Sequence, residues 1–318
     1  MKNTLKILAL MIQIPILLCT HFSTVWATDA LKVMVSIVPQ KYFVEKIGGD
    51  RVAVSVMVLP GANPATYEPR PRQMVALIQS EMYFAMGVPF EEIWLEKFAD
   101  VNPNMRIVHT EDGIEKIPMM NWFHHEEKGA FCEAEGHSHH GTEDPHIWLS
   151  PSLVQIQSRN IFEAFLHVDP GNRDQYMANY NAFVKELGDL DRRIRDIFKG
   201  KGEGAAFMVY HPSWGYFARP YGLEQIPIEI EGKEPKGRQL QHLIEMSSKE
   251  RVNAIFVQPQ FSSKSANTIA KAVGCQIIIA DPLAENWHEN LLAVAQKFRA
   301  ALSVYSPATQ TESPQSQE

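Results

Sequence analysis

Three residues occupy positions where side chains often do chemistry. His211 and Asp281 each follow a short strand-like apolar run, and His146 stands in the segment Asp144-Pro145-His146-Ile147-Trp148-Leu149. Imidazole nitrogens suit Zn²⁺, and a carboxylate oxygen can complete a tetrahedral ligand set. Taken singly, such histidines are more often hydrogen-bonded structural residues and such aspartates more often turn residues. If the three meet, they predict a site for one divalent cation.

A histidine-rich segment at about residues 122–141 adds compositional evidence for metal. Of the 12 histidines in the chain, five lie in it: His124, His125, His137, His139 and His140. Short His-rich tracts commonly bind metal ions. Because the spacing is loose, we expect weak, exchangeable sites that collect ions and supply auxiliary ligands. The alternative is a solvated loop, with a response to pH through its imidazoles.

Strand-like and helix-like patterns alternate on both sides of the middle of the chain. The predicted strands are 32–38, 52–59, 82–86, 106–109, 206–210, 226–230, 254–258 and 276–280. The predicted helices are 71–79, 153–167, 239–248, 265–273 and 289–304. This alternation predicts two α/β lobes with mainly parallel sheets. Ligands of such sheets bind beyond the carboxyl ends of the strands, so a cleft between the lobes is expected.

One long helix is predicted between the two halves. From Tyr176 to Ile197 the apolar residues are spaced alternately by four and three, which makes one continuous stripe. Pro170 suits the entry to the helix and Gly200 the position after its end. Residues 172–199 would span roughly 40 Å as a helix. This position favours a bridge between the lobes over a helix packed on one of them.

The first 27 residues have the pattern of a secretory signal peptide. Lys2 and Lys6 precede the apolar run 7–18, and Val25-Trp26-Ala27 resembles a cleavage site. The run is shorter than the roughly 20 residues that cross a bilayer, which disfavours a membrane anchor. Cys19 follows Leu18, a poor context for a lipoprotein signal. We therefore expect export and cleavage.

Composition limits the remaining function classes. The 318 residues allow two domains, and the net charge of −7 disfavours a nucleic-acid partner. Residues 306–318 are rich in Ser, Pro, Thr and Gln and are predicted to be disordered. Cys132 and Cys275 remain after the leader, and the sequence gives no reason to pair them.

The ordered motifs resemble one protein family over about residues 30–305. The chain is similar to the solute-binding proteins of zinc and manganese ABC transporters (cluster A-I). The resemblance rests on the His-rich insertion, the long helix and four segments. These are residues 59–69 (LPGANPATYEP), 144–149 (DPHIWL), 211–217 (HPSWGYF) and 281–283 (DPL).

The resemblance implies a fold and a function. It implies two four-stranded α/β lobes joined by one rigid helix, with boundaries at 28–170, 171–200 and 201–305. It carries ligand roles onto His146, His211 and Asp281. Together with the leader, it leads us to expect a periplasmic, non-enzymatic and monomeric receptor. Such a receptor would bind Zn²⁺, or alternatively Mn²⁺, and deliver it to an ABC permease in the inner membrane.

One position departs from the family pattern. The first loop usually carries a ligand histidine where this chain has Ala65, followed by Thr66. A histidine of the His-rich segment could replace it, or water, Glu68 or Tyr67 could do so. Alternatively, affinity falls and selectivity shifts toward harder ions such as Mn²⁺. We favour the first two explanations together.

Two other functions compete with the metal receptor. A secreted metallohydrolase could use His146, His211 and Asp281 with an open water position. However, the sequence has no H-E-x-x-H or G-x-S-x-G motif. A receptor for a larger ligand such as haem, or an adhesin, is the other alternative. The clustered histidines favour a bare ion.

Overall fold

The computed structural model describes residues 30–119, 143–201, 204–230, 232–249 and 252–302. The predicted leader, His-rich segment and tail lie outside these ranges, together with Cys132. The five histidines of the His-rich segment are therefore not placed. The predicted domain boundaries stay predictions.

The first lobe is built on a four-stranded parallel sheet with the strand order β2-β1-β3-β4. Its strands are β1 (Leu31–Val35), β2 (Val52–Val56), β3 (Met82–Ala85) and β4 (Arg106–His109). Its helices are α1 (Val38–Gly48), α2 (Pro71–Ile78) and α3 (Pro89–Val101). Each helix has a proline in its first turn, where the missing N–H removes no intrahelical hydrogen bond.

Two helices lead from the first lobe to the second. They are α4 (Pro151–Val168) and α5 (Arg173–Phe198). The 26 residues of α5 correspond to about 39 Å. Helix α5 packs against α1 and α4. It also packs against the last helix of the second lobe. Its predicted apolar stripe is the buried face, so the predicted bridging helix is confirmed.

The second lobe repeats the plan of the first, with the strand order β6-β5-β7-β8 and all pairs parallel. Its strands are β5 (Ala205–Val209), β6 (Leu223–Pro227), β7 (Ala254–Val257) and β8 (Gln276–Ile279). Its helices are α6 (Gly215–Ala218), α7 (Arg238–Lys249), α8 (Lys264–Val273) and α9 (Trp287–Ala301). The predicted fold, two four-stranded parallel lobes joined by a long helix, is confirmed.

Strand β6 is the clearest error among the predicted elements. It runs over Leu223–Pro227, whereas the apolar pattern predicted 226–230. The polar Gln225 conceals the start of the strand, because its buried side chain bonds to Trp214 N and Pro212 O. The patterns also missed α1 and α3. The apolar run that predicted the first strand continues past its end into α1. Strand β1 therefore ends at Val35 and not at residue 38.

One hydrophobic core extends through both lobes. It includes Phe43 and Phe84 of the first lobe and Phe207 and Phe298 of the second. The ring of Trp287 meets that of Phe43 edge-on with centroids 5.0 Å apart. A smaller cluster lies within the second lobe, around Met208 and Ile255. None of the helices in the described ranges is long and apolar enough to span a membrane.

Candidate metal site

The site residues lie on loops at the carboxyl ends of the parallel strands. His211 follows β5, Glu229 follows β6, Gln260 follows β7 and Asp281 follows β8. Because the carboxyl ends of neighbouring parallel strands meet at one edge, these side chains are brought into one region. This edge of the second lobe forms one wall of a cleft.

His146 is held by the loop that leads into α4. Its backbone N–H donates to Asp144 Oδ1 at 2.9 Å, and its ring Nδ1 lies 2.6 Å from the same oxygen. Both side chains are buried. The His146 ring also packs against Trp148, with centroids 5.1 Å apart. The double contact to Asp144 fixes the orientation of the imidazole.

His211 is fixed at both its backbone and its ring. Gln258 accepts a hydrogen bond from His211 N at 3.2 Å and donates one to His211 O at 2.7 Å. The ring Nδ1 lies 3.1 Å from Glu229 Oε2, and the ring stacks on Phe261 with centroids 4.4 Å apart. Burial lowers the pKa of His211 from its usual value, although the Glu229 hydrogen bond opposes this. The imidazole is therefore favoured in its neutral form, which can bind a metal ion.

The two imidazoles lie side by side, with ring centroids 5.3 Å apart and planes inclined at 68°. Each has a carboxylate at Nδ1, from Asp144 and from Glu229. An ionised carboxylate only accepts hydrogen bonds, so this pairing selects the tautomer with the proton on Nδ1. The lone pair of each ring is then on Nε2, the arrangement typical of metal-binding histidines.

The cleft that contains these imidazoles has a volume of about 480 Å³, including space open to solvent. Its second-lobe wall includes Ser213, Gln260, Phe261, Pro282 and Leu283. Its first-lobe wall includes Asn63, Pro64, Ala65, Val88 and Pro89. The walls are largely apolar, which strengthens the attraction between an ion and its few polar ligands.

Asp281 is adjacent to the cleft and firmly oriented. Its Oδ1 accepts hydrogen bonds from Gln260 Nε2 at 2.8 Å and from Leu283 N at 2.9 Å. Within the described ranges, no group of three or more His, Cys, Asp or Glu side chains is arranged to hold a metal ion. The structure thus pairs His146 with His211, and Asp281 stays a predicted ligand.

The first loop carries two polar candidate ligands, Tyr67 and Glu68. Tyr67 is buried in the first lobe, where its hydroxyl donates to Gln73 Oε1 at 2.7 Å and its ring meets Phe90 edge-on. Glu68 is exposed. Ala65, the residue in place of the family histidine, lies on the cleft wall. This wall therefore presents a methyl group where the family pattern has an imidazole.

The sequence profile described as "ZnuA: Zinc-uptake complex component A periplasmic" matches residues 33–303. The chain belongs to this family. The zinc-uptake component A profile thus covers both lobes and the bridging helix, in agreement with the resemblance seen in the motifs.

Individual members of the zinc-uptake component A family and related proteins extend this match. The chain is 28% identical over 257 residues to the high-affinity zinc uptake system protein ZnuA of Bacillus subtilis (strain 168), covering 80% of this chain and 79% of that protein. It is 26% identical to the manganese ABC transporter substrate-binding lipoprotein PsaA of Streptococcus pneumoniae, covering 91% and 93%. A crystal structure of ZnuA superposes with a TM-score of 0.77 at 44% identity, covering 86% of this chain and 100% of that one.

Sequence reasoning gave no role to three residues of this family member that the structure places at the site. Asp144 belongs to the DPHIWL segment, whereas Glu229 and Gln260 stand in none of the sequence motifs. The sequence signal that could have identified Glu229 and Gln260 is their position after a strand, which they share with His211 and Asp281. Which of these polar residues contact a histidine depends on strand order, which the sequence does not provide.

Proposed function

We propose that this chain is the receptor of a metal ABC importer, which captures Zn²⁺ in the cleft and delivers it to a membrane permease. The observation that carries the proposal is the pair of buried imidazoles, His146 and His211, each held at Nδ1 by a carboxylate. Family membership supports the same function.

The spacing of the imidazoles suits a single zinc ion. If Zn²⁺ bonds both Nε2 atoms at about 2.0–2.1 Å with a tetrahedral angle, the ring centroids are about 5 Å apart. The observed separation is 5.3 Å. The carboxylates behind the two rings, Asp144 and Glu229, supply negative charge that balances a divalent cation.

We also propose further ligands for the ion beside the two histidines. Asp281 contributes its other carboxylate oxygen, Oδ2. Its Oδ1 accepts the hydrogen bonds from Gln260 and Leu283 described above. Auxiliary ligands come from the His-rich segment: His124, His125, His137, His139 and His140. Water or Glu68 are the other candidates, whereas Tyr67 would first have to give up its bond to Gln73.

The location and partners follow from the sequence. We propose that the leader directs export and is cleaved after Ala27, so that the mature protein acts in the periplasm. We further propose that it acts there as a monomer. Its partners are the ion and an ABC permease in the inner membrane. The protein binds its cargo without transforming it. Absence of ester and peptide hydrolysis by the zinc-loaded protein would support this, and zinc-dependent turnover would contradict it.

Replacement of His211 tests the proposal. The His211→Ala variant removes one of two paired ligands, and we expect tight Zn²⁺ binding to be abolished. Competition titration with a chromogenic chelator, together with elemental analysis of protein purified without added metal, measures this. The matched control is His167→Ala, an exposed histidine at the end of α4. Full Zn²⁺ affinity in His211→Ala would refute the assigned site.

A manganese receptor is the second candidate. Ala65 on the cleft wall reduces the number of imidazoles, and fewer nitrogen ligands favour harder ions. The manganese-transport relative PsaA supports this alternative. Most sites bind Zn²⁺ more tightly than Mn²⁺ whatever their physiological ion, so elemental analysis of protein purified without added metal separates the two. A manganese receptor would carry Mn²⁺ as isolated, and a zinc receptor would carry Zn²⁺.

A further inference from the structure

Gln260 connects the paired histidines with Asp281. It lines the cleft together with His146 and His211, and its Nε2 donates to Asp281 Oδ1 at 2.8 Å. The next residue, Phe261, stacks on the His211 ring. The segment after β7 is therefore fixed against both sets of predicted ligands.

The orientation of the Gln260 amide follows from its partner. An ionised carboxylate only accepts hydrogen bonds, so the nitrogen of the amide, and not its oxygen, must face Asp281. Asp281 is in turn fixed, because Leu283 N donates to the same Oδ1 and Asn290 Nδ2 donates to Asp281 O at 2.8 Å. Rotation of the amide would break its hydrogen bond and bring two acceptors together.

The oxygen of the same amide is buried without a partner. Gln260 Oε1 accepts no hydrogen bond from any residue in the described ranges. A buried acceptor without a partner is unfavourable, so such atoms in native structures call for a specific explanation. An amide oxygen on the wall of a cation cleft has a simple one, since it can donate electron density to a metal ion.

We propose that Gln260 Oε1 is a ligand of the cleft ion, in addition to His146 and His211. This inference rests on the proposed metal-binding function. Gln260 supplies from the second lobe a donor atom that Ala65 on the facing wall does not have. The hydrogen bond to Asp281 polarises the amide and makes its oxygen a better donor. As a neutral oxygen ligand, it contributes more to the binding of Mn²⁺ than to that of Zn²⁺.

Two substitutions separate the donor atom from the bulk of the side chain. Gln260→Leu keeps the bulk and removes the oxygen, and we expect Zn²⁺ affinity to fall about tenfold and Mn²⁺ affinity to fall further. Gln260→Glu keeps an oxygen for the ion but replaces the donor that faces Asp281 with an acceptor. We therefore expect its affinities for both ions to lie between those of Gln260→Leu and the unmodified protein. The visible absorption of the Co²⁺-loaded proteins reports the number and type of donor atoms. We expect it to change in Gln260→Leu and to stay close to the original in Gln260→Glu.

Gln241→Leu is the matched control. Gln241 lies exposed on α7 and, like Gln260, donates through Nε2 to a carboxylate, that of Glu245. It should leave affinity and the Co²⁺ spectrum unchanged. An unchanged Co²⁺ spectrum in Gln260→Leu would overturn the inference, whether or not affinity falls. The function itself fails only if His211→Ala still binds tightly, so the two failures are distinguishable.

Discussion

The two walls of the cleft differ in chemistry although the two lobes share one topology. On the second-lobe side, His211 and Gln260 line the cleft, and they are held by hydrogen bonds to Glu229, Gln258 and Asp281. The first-lobe wall is mostly apolar, and it consists of Asn63, Pro64, Ala65, Val88 and Pro89. Under the proposed function, His146 and the second lobe provide the ligands, and the apolar first-lobe wall shields them from water.

Among the changes that test this difference between the walls, replacement of Glu229 should have the largest effect on Zn²⁺ affinity. Glu229→Leu removes the acceptor that orients His211, and we expect Zn²⁺ affinity to fall about 10- to 100-fold. Competition titration measures the change. Glu224→Leu, an exposed position on β6, is the matched control and should bind like the unmodified protein. Equal losses in both variants would show that the effect is general destabilisation.

The lobes should also differ in the pH dependence of their stability. Burial raises the pKa of Glu91 in the first lobe to about 7, with a smaller contribution from Glu111 and opposition from hydrogen bonds with Ser36, Met86 and Gly87. The folded state thus favours the protonated acid. The stabilising effect of this preference is complete below the unfolded pKa of 4.5 and is lost as the pH rises through about 7.

His211 in the second lobe has the opposite sign. Its lowered pKa means that protonation in the unfolded state costs stability as the pH falls through the ordinary histidine range.

The Glu91 contribution can be tested by substitution. Between pH 5 and 8, Glu91→Gln should remove a pH-dependent contribution on the order of 2 kcal/mol to the free energy of unfolding. Urea denaturation at several pH values measures it, with the exposed Glu92→Gln as control. A Glu91→Gln variant with the same pH slope as the unmodified protein would contradict the assignment.

Addition of an imidazole to the apolar wall should have the smallest effect. Ala65→His places a nitrogen donor opposite the existing ligands, and we expect Zn²⁺ affinity to rise about tenfold, with a stronger preference for Zn²⁺ over Mn²⁺. Thr66→His, at the next and exposed position, is the control. If the two variants bind alike, the first-lobe wall does not face the ion.

The fold was predictable because its signals are local. The β-branched runs and the long apolar stripe of α5 are visible along the chain, and both lobes follow from them. The position of β6 was not predictable, because the buried polar Gln225 interrupts the apolar pattern and is satisfied only by distant backbone atoms of Pro212 and Trp214.

The site was predictable in residue type but not in pairing. His211 was identified from its position after a strand and His146 from its motif, and the structure brings them together. The roles of Asp144, Glu229 and Gln260 depend on which loops become neighbours, and this is set by strand order. The sequence likewise does not reveal that the Tyr67 hydroxyl donates to Gln73.

The aromatic contact between Phe43 and Trp287 restricts how cargo can be exchanged. Trp287 Nε1 donates to Trp148 O, and Trp148 Nε1 donates to Pro282 O, both at 2.8 Å. A wide hinge rotation would expose these rings and break both bonds, which is unfavourable in a close-packed interior. We therefore expect an ion to enter and leave past a cleft loop outside these bonds, such as the exposed first loop at Ala65, without rotation of a whole lobe.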